Sequence, residues 1–141
     1  MILYAESSAV LAWLLGEPSA AEVAEALGAA EGVVAAELTL VECDRALMRG
    51  VALGELSEFE VARRRTLLEA AAAHWHLIPL TGEVLQRARR AFPAEPIRTL
   101  DALHLASALA ARAALTGLTL LSLDRRVRAA ASELAFPLLP T

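Results

Sequence analysis

The chain has 141 residues, of which 57% are hydrophobic and 21% are charged. This length is typical of one domain, and the hydrophobic content excludes an intrinsically disordered chain. The formal net charge of −4 excludes a protein that binds nucleic acid only through a uniformly basic surface.

The sequence predicts a cytoplasmic protein that does not contact membranes. The longest uncharged run, residues 113–123, is well short of the roughly 20 residues that cross a bilayer. The first strand runs directly into Glu6, without the basic start and unbroken apolar stretch of a signal peptide. The single cysteine, Cys43, cannot close an internal disulfide and is predicted to be a small core residue.

Short apolar segments alternate with longer alanine-rich helical patterns along the chain. The predicted strands are Ile2–Ala5, Val33–Ala36, His76–Leu80, Leu118–Leu123 and Phe136–Leu139. The predicted helices are Ser8–Leu15, Ala20–Leu27, Leu40–Arg49, Ser57–Ala73, Glu83–Phe92, Leu100–Ala114 and Arg125–Leu134. Because the strands are mostly apolar throughout, we expect both of their faces to be covered. The alternation predicts one α/β domain over residues 1–141, with a parallel sheet between two layers of helices.

Four carboxylates lie where predicted strands end or predicted helices begin. Glu6 and Asp124 directly follow the first and fourth strands, while Glu42 and Asp101 lie in the first turns of two helices. In a parallel sheet all four positions fall on the edge where α/β proteins bind ligands. Four carboxylates in one place would repel each other unless a cation neutralised their charge.

The ligand chemistry of these residues favours a hard divalent cation. Carboxylate oxygens without cysteine or paired histidine nearby suit Mg²⁺ or Mn²⁺ better than zinc. A Mg²⁺ ion held by a few carboxylates keeps positions for water or substrate phosphates. The pattern therefore points to phosphodiester chemistry.

Each carboxylate also has a structural explanation. Thr39 and Glu42 fit a capping box at a helix start, and Asp101 fits the positive end of a helix dipole. Asp124 fits a helix N-cap, and Glu6 fits a solvated loop residue. For each residue alone such an explanation is the commoner one, and only their joint placement favours a site.

The order and context of these motifs resemble the PIN-domain family, and within it the VapC-type ribonuclease toxins of toxin–antitoxin pairs. The resemblance covers essentially the whole chain, although each motif alone is short. It rests on Ile2-Leu3-Tyr4-Ala5-Glu6-Ser7-Ser8, Glu37-Leu38-Thr39-Leu40-Val41-Glu42, Arg98-Thr99-Leu100-Asp101-Ala102-Leu103-His104 and Leu121-Ser122-Leu123-Asp124-Arg125-Arg126. Membership would imply a five-stranded parallel sheet sandwiched between helices.

The resemblance further implies a metal-dependent endoribonuclease that cleaves single-stranded RNA, is inhibited by a cognate antitoxin and forms a homodimer. Glu6, Asp101 and Asp124 would hold Mg²⁺ or Mn²⁺. Glu42 would be a further ligand or a base for the attacking water. The supporting hydroxyls, which would hydrogen-bond a ligand carboxylate or the phosphate, are Ser7 and Ser122.

One position departs from the family pattern. The first acid of the family is normally aspartate, and Glu6 stands here, with its carboxylate about 1.5 Å further from the backbone. This substitution favours an alternative function, a catalytically silent PIN-like module that binds RNA or a protein partner. The other three acids favour the nuclease.

Histidines are weaker candidates for the site. His104 follows Asp101 by one helical turn, which can bring its ring to the acids. His74 and His76 have the spacing of one strand face, but a pair without a third ligand favours a structural role over a metal site.

Two surfaces are predicted to contact partners, in addition to the apolar helix faces expected to form a homodimer. Arg125, Arg126 and Arg128 adjoin Asp124 and are predicted to hold RNA phosphates at the rim of the site. A groove beside the acids is predicted to receive the antitoxin through apolar positions of the 53–73 segment: Leu56, Phe59, Leu67 and Leu68.

Overall fold

The computed structural model describes residues 1–141, in which five strands alternate with seven helices. The strands are β1 (Ile2–Ala5), β2 (Gly32–Ala36), β3 (His76–Ile78), β4 (Leu118–Leu121) and β5 (Leu138–Leu139). The helices are α1 (Ser7–Leu15), α2 (Ala20–Ala29), α3 (Glu37–Ala52), α4 (Glu58–Ala72), α5 (Gly82–Ala88), α6 (Thr99–Ala114) and α7 (Arg125–Glu133). None of the helices has the length and apolar character needed to cross a membrane.

The strands form one parallel sheet in the order β3-β2-β1-β4-β5. This confirms the predicted α/β fold with five parallel strands. The strand order reverses between β1 and β4, so the topological switch point lies beyond the carboxyl ends of these two strands. The backbone N–H of Glu6 extends the pairing there by donating to the carbonyl of Leu121 at 3.0 Å.

Helices cover both faces of the sheet because successive strand residues point to opposite sides. Tyr4 and Leu120 pack with α6 and α7 in the larger apolar cluster. Ala5 and Val33 pack with α1, α3 and α4 on the other face. Leu3, also fully buried, packs against α1 and α2. The three central strands, β1, β2 and β4, are therefore covered on both faces as predicted, whereas the edge strands β3 and β5 contain no fully buried residue.

The predicted element boundaries differ from the structure mainly where apolar side chains serve the core outside regular structure. Phe92 was predicted to end a helix, but α5 ends at Ala88 and Phe92 is buried with α6 in the larger cluster. Phe136 lies before β5 instead of within it, and it is buried in the same cluster. The helix predicted to begin at Leu40 begins at Glu37.

Candidate active site

A cleft of about 490 Å³ opens beyond the carboxyl ends of β1 and β4, at the switch point of the sheet. The structure brings all four predicted carboxylates to this one cleft, although they come from four separate segments. The polar residues that line it are Glu6, Ser7, Ser8, Glu42, Arg98, Thr99, Asp101, His104 and Asp124.

Glu6 is a buried carboxylate held by hydroxyl groups. Only 3% of the residue is exposed, so the interpretation as a solvated loop residue is wrong. The hydroxyl of Ser7 lies 2.8 Å from its Oε1, and that of Ser122 donates to its Oε2 at 2.7 Å. Ser8 also donates to Oε2 and accepts the backbone N–H of Leu123 at 2.9 Å. These contacts hold the carboxylate in place and tie the start of α1 to the loop after β4.

Ser8 was missed in the sequence analysis, which named its two neighbours in the network, Ser7 and Ser122. Its hydroxyl also accepts the backbone N–H of Asp124 at 3.2 Å, so it joins the first and fourth acidic motifs. The signal that was available is its place two residues after Glu6, within the same motif.

Glu42 faces the cleft from α3 and contacts a buried histidine. His104 is 1% exposed, and its Nε2 hydrogen-bonds Glu42 Oε1 while its Nδ1 lies 3.2 Å from the hydroxyl of Tyr4. Burial raises the pKa of the Tyr4 hydroxyl, which therefore stays protonated. Ser7 Oγ lies 3.1 Å from Glu42 Oε2 and links this pair to Glu6. His104, which the sequence made only a weak candidate for the site, therefore does reach the acids.

The predicted capping box of Thr39 and Glu42 is wrong. Because α3 begins at Glu37, both residues lie inside the helix, and the N-cap residue Ala36 has no side chain that could cap it. Thr39 is fully buried, and its hydroxyl has no hydrogen-bond partner. Glu42 is thereby left to point into the cleft instead of satisfying the helix start.

Asp101 and Asp124 are bridged by one arginine. Arg98 Nε lies 2.9 Å from Asp101 Oδ2, and its Nη2 lies 3.0 Å from Asp124 Oδ2. The hydrogen bonds and charge of Asp101 raise the pKa of Arg98. This bridge was missed in the sequence analysis, although Arg98 precedes Asp101 by the three residues at which helical side chains meet.

Asp124 serves both as a helix cap and as part of the cleft. Its Oδ1 accepts the backbone N–H groups of Arg126 at 2.8 Å and Val127 at 3.1 Å, which confirms the N-cap interpretation. Partial burial opposes its ionisation, but the two N–H groups and the Arg98 guanidinium together hold the pKa of Asp124 below its usual value. Asp124 therefore remains a carboxylate at neutral pH, with Oδ2 facing the cleft.

The acids of the cleft do not surround a cation site until one side chain, that of Arg98, has moved. As the side chains stand, no three carboxylate, imidazole or thiol groups surround a common point in the manner of a metal site. Two of the acids are occupied by Arg98, whose side chain is 57% exposed and so has room to turn outward. The remaining donors are hard oxygens, which suit Mg²⁺ or Mn²⁺. The donor chemistry fits such an ion once the guanidinium has moved.

Arg128 does not belong to a phosphate-binding cluster, contrary to the prediction. Its guanidinium turns inward and donates to the carbonyls of Ser122 at 2.8 Å, Leu139 at 3.0 Å and Pro140 at 2.8 Å. Because these three hydrogen bonds hold the guanidinium against backbone carbonyls, it is not available to RNA, and Arg128 instead ties β5 to the end of β4.

The apolar positions predicted to receive an antitoxin are only partly accessible. Leu68 is 2% exposed in the core beneath α4, and Leu56 packs so closely over Gly50 that a Cβ there would lie 2.6 Å from its Cδ1. Phe59 and Leu67 are exposed, at 77% and 48%. The surface that a partner can reach on α4 thus includes the latter two residues.

The remaining candidates lie away from the cleft. His74 and His76 border an apolar cavity of about 600 Å³ beside β2 and β3, and no third ligand joins them. Cys43 is fully buried among apolar residues of α1, α3 and α4. Burial raises the pKa of its thiol to about 12, as befits a core residue.

A parallel sheet with a cleft of acids at its switch point places the chain among α/β proteins that bind ligands beyond the carboxyl ends of their strands. The family that matches the sequence is the PIN domain, over residues 3–133. The chain therefore belongs to the PIN-domain family, which confirms the resemblance of its four motifs.

Solved structures with the same fold include a VapC toxin and toxin–antitoxin complexes. VapBC2 from Rickettsia felis, bound to a DNA fragment from its promoter, has a TM-score of 0.63 at 14% identity, covering 98% of this chain and 97% of that one. VapC20 of Mycobacterium tuberculosis, a toxin that cleaves the sarcin-ricin loop, has a TM-score of 0.64 at 12% identity, covering 91% and 94%. A toxin–antitoxin complex from Klebsiella pneumoniae has a TM-score of 0.61 at 17% identity, covering 94% of each chain. Comparison with curated proteins finds no significant match.

Proposed function

We propose that this protein is a metal-dependent endoribonuclease that cleaves single-stranded RNA and serves as the toxin of a toxin–antitoxin pair. The observation that carries the proposal is the convergence of four carboxylates on one cleft at the switch point of the sheet. Membership of the PIN-domain family and the VapC fold of its structural neighbours support it.

Glu6, Asp101 and Asp124 would hold the divalent cation. When bound, such an ion lowers the pKa of the attacking water and stabilises charge on the scissile phosphate. The serine hydroxyls keep the Glu6 carboxylate oriented toward the cleft. Asp124 is oriented by the helix start that it caps, because two backbone N–H groups fix one of its oxygens.

Glu42 is the residue best placed to receive the proton of the attacking water. Its side chain is 21% exposed, so it reaches solvent in the cleft, whereas His104 behind it is buried. The imidazole is anchored on its far side by Tyr4 and holds the carboxylate from within. Glu42 would act either in this way or as a further ligand of the cation.

The antitoxin would bind beside the cleft on α3 and α4. Val41 is 56% exposed and adjoins Glu42 on α3, and Phe59 is the most exposed large apolar residue on α4. An apolar partner helix that covers Val41 would lie next to Glu42 and restrict the access of RNA to the cleft. The structural neighbours that are toxin–antitoxin complexes support a partner of this kind. We also propose that the chain forms a homodimer.

A catalytically silent module that binds RNA or protein is the second candidate function. Its support is the bridge from Arg98 to Asp101 and Asp124, in which the guanidinium offsets part of the negative charge of the cleft without a metal ion. Glu6 in place of the family's aspartate supports it too.

Incubation of the purified protein with single-stranded RNA separates these two functions. We expect cleavage with Mg²⁺ or Mn²⁺, loss of cleavage on chelation and recovery when the cation is restored, because carboxylates alone cannot stabilise the negative charge on the scissile phosphate. RNA of the same sequence annealed to its complement is the control and should be cut much more slowly. RNA that is bound but stays intact under all cation conditions would establish the silent module instead.

Replacement of Arg98 by alanine is expected to tighten Mn²⁺ binding by about tenfold, or roughly 1.4 kcal/mol. The guanidinium contacts two of the proposed ligands at 2.9 and 3.0 Å and adds a positive charge to a cation site. Calorimetric titration without RNA measures the change. Arg65→Ala is the matched control, since Arg65 pairs with Asp44 at 3.3 Å outside the cleft. Equal or weaker Mn²⁺ binding by Arg98→Ala would show that the arginine does not compete with the cation.

A further inference from the structure

A second pocket adjoins the acidic cleft and shares one wall with it. It has a volume of about 420 Å³, which falls within the range of small-molecule sites. It is lined by Ala94, Pro96, Ile97, Arg98, Arg126 and Ala129. Because Arg98 lines both the acidic cleft and this pocket, a nucleic-acid strand that lies in the cleft can continue directly into the pocket.

The two kinds of lining side chain match the two parts of a nucleotide. Pro96, Ile97 and Ala129 provide apolar surface for a base or ribose, while an arginine guanidinium is the group that binds phosphate. None of the acids of the cleft lines this pocket. In a protein with a net charge of −4, it therefore offers cationic groups directly beside an anionic site.

Arg126 is the arginine available to a ligand here. Arg98 is held by two carboxylates, and Arg128 is held by backbone carbonyls. The guanidinium of Arg126, by contrast, has neither a hydrogen bond nor an ion pair within the chain; only its backbone N–H is bonded, to Asp124. Because Asp124 caps α7, the capping bonds fix the backbone of Arg126 in the first turn of this helix, next to the cleft.

We propose that this pocket is the subsite for the nucleotide next to the scissile phosphate, and that Arg126 binds the phosphate of that nucleotide. The inference rests on the proposed function, which puts the scissile phosphate among the four carboxylates. Arg126 would then position the substrate. The small side chain of Ala129, which is exposed in the lining, would leave room for the nucleotide, and a larger residue there would reduce the volume of the pocket.

Binding of a labelled single-stranded RNA in the presence of a chelator tests the role of Arg126 apart from cleavage. Arg126→Ala is expected to weaken binding by about five- to tenfold, as for loss of one charge-assisted phosphate contact. The slope of log affinity against log salt concentration should fall by about 0.7. Arg126→Lys should keep that slope because it keeps the charge.

Arg125→Ala is the comparison variant, because it removes the same charge from the same helical turn but lies outside the pocket. We expect it to weaken RNA binding by less than about twofold, because it removes only a screened long-range attraction to the RNA and no direct phosphate contact. If Arg125→Ala and Arg126→Ala weaken binding equally, the subsite is wrong and only a general positive potential remains.

A ladder of RNAs shortened one nucleotide at a time from either end tests the pocket itself. When the RNA becomes long enough to enter the pocket, the added nucleotide should increase the affinity of the wild type. The same nucleotide should increase the affinity of Arg126→Ala and of Ala129→Leu less, because the first lacks the guanidinium and the leucine of the second fills the pocket.

Steady-state cleavage with Mg²⁺ gives an independent test. Both variants should raise KM and leave kcat within about twofold, while Arg49→Ala, on the exposed surface of α3, should change neither. An added nucleotide that benefits all four proteins equally would overturn the subsite. A wild type that binds RNA as expected but never cleaves it would overturn the proposed function alone.

Discussion

Replacement of Asp101 by asparagine is expected to lower kcat for RNA cleavage by at least about 100-fold, because loss of one anionic ligand removes several kcal/mol of stabilisation from a metal-assisted transition state. Asp101 is 6% exposed and lies in the first turn of α6, so the amide fits the same space without disturbing the fold. Single-turnover cleavage of single-stranded RNA at saturating Mg²⁺ measures the effect.

The matched control for this substitution is Asp44→Asn. Asp44 is also a helical aspartate paired with an arginine, but that pair is about 40% exposed on the surface of α3 and α4. Its loss should change stability by less than about 1 kcal/mol and leave cleavage unchanged. Cleavage by Asp101→Asn within a few-fold of the wild type, at unchanged thermal stability, would remove Asp101 from the proposed site.

Two substitutions of Glu6, the position where this chain departs from its family, distinguish the effect of the carboxylate charge from the effect of the side-chain length. Glu6→Gln is expected to reduce cleavage by about 100-fold or more, because a neutral amide no longer offers a cation an anionic oxygen. Glu6→Asp keeps the charge and matches the family, so we expect it to retain cleavage or raise it. Glu17→Gln, the same change at an exposed position outside the cleft, should have no effect.

The structure adds a cost to Glu6→Asp that the family pattern does not predict. The serine hydroxyls hold the longer side chain at 2.7 and 2.8 Å, and the shortened carboxylate would withdraw from some of them. Buried hydroxyls that lose their acceptor cost about 1–3 kcal/mol, which urea unfolding of this variant should detect. If both substitutions leave cleavage within a few-fold of the wild type, Glu6 is only a structural acceptor for these serines.

Much of the fold and the position of the site could be predicted because they follow from local patterns. Apolar strands separated by helical segments require a parallel sheet, and this alone brings residues such as Glu6 and Asp124 to one edge. The start of α3 could not be predicted from its residues, since Thr39 and Glu42 fit a capping motif that the helix does not use. Because α3 begins three residues earlier than predicted, Glu42 lies inside the helix and faces the cleft instead of capping the helix start.

The sequence by itself determined the α/β class, the order of the elements and the edge of the sheet that carries the acids. These features follow from the hydrophobic periodicity of each segment and from the position of each acid relative to its strand or helix, both of which are local. Only the tertiary structure decided the partners of those acids. Ser122 reaches Glu6 across 116 positions of sequence, and His104 reaches Glu42 across 62. Tertiary packing likewise turned Arg128 inward and buried Leu68. Such contacts depend on the packing of helices against the sheet and on the direction of each side chain, and neither is encoded within any single segment.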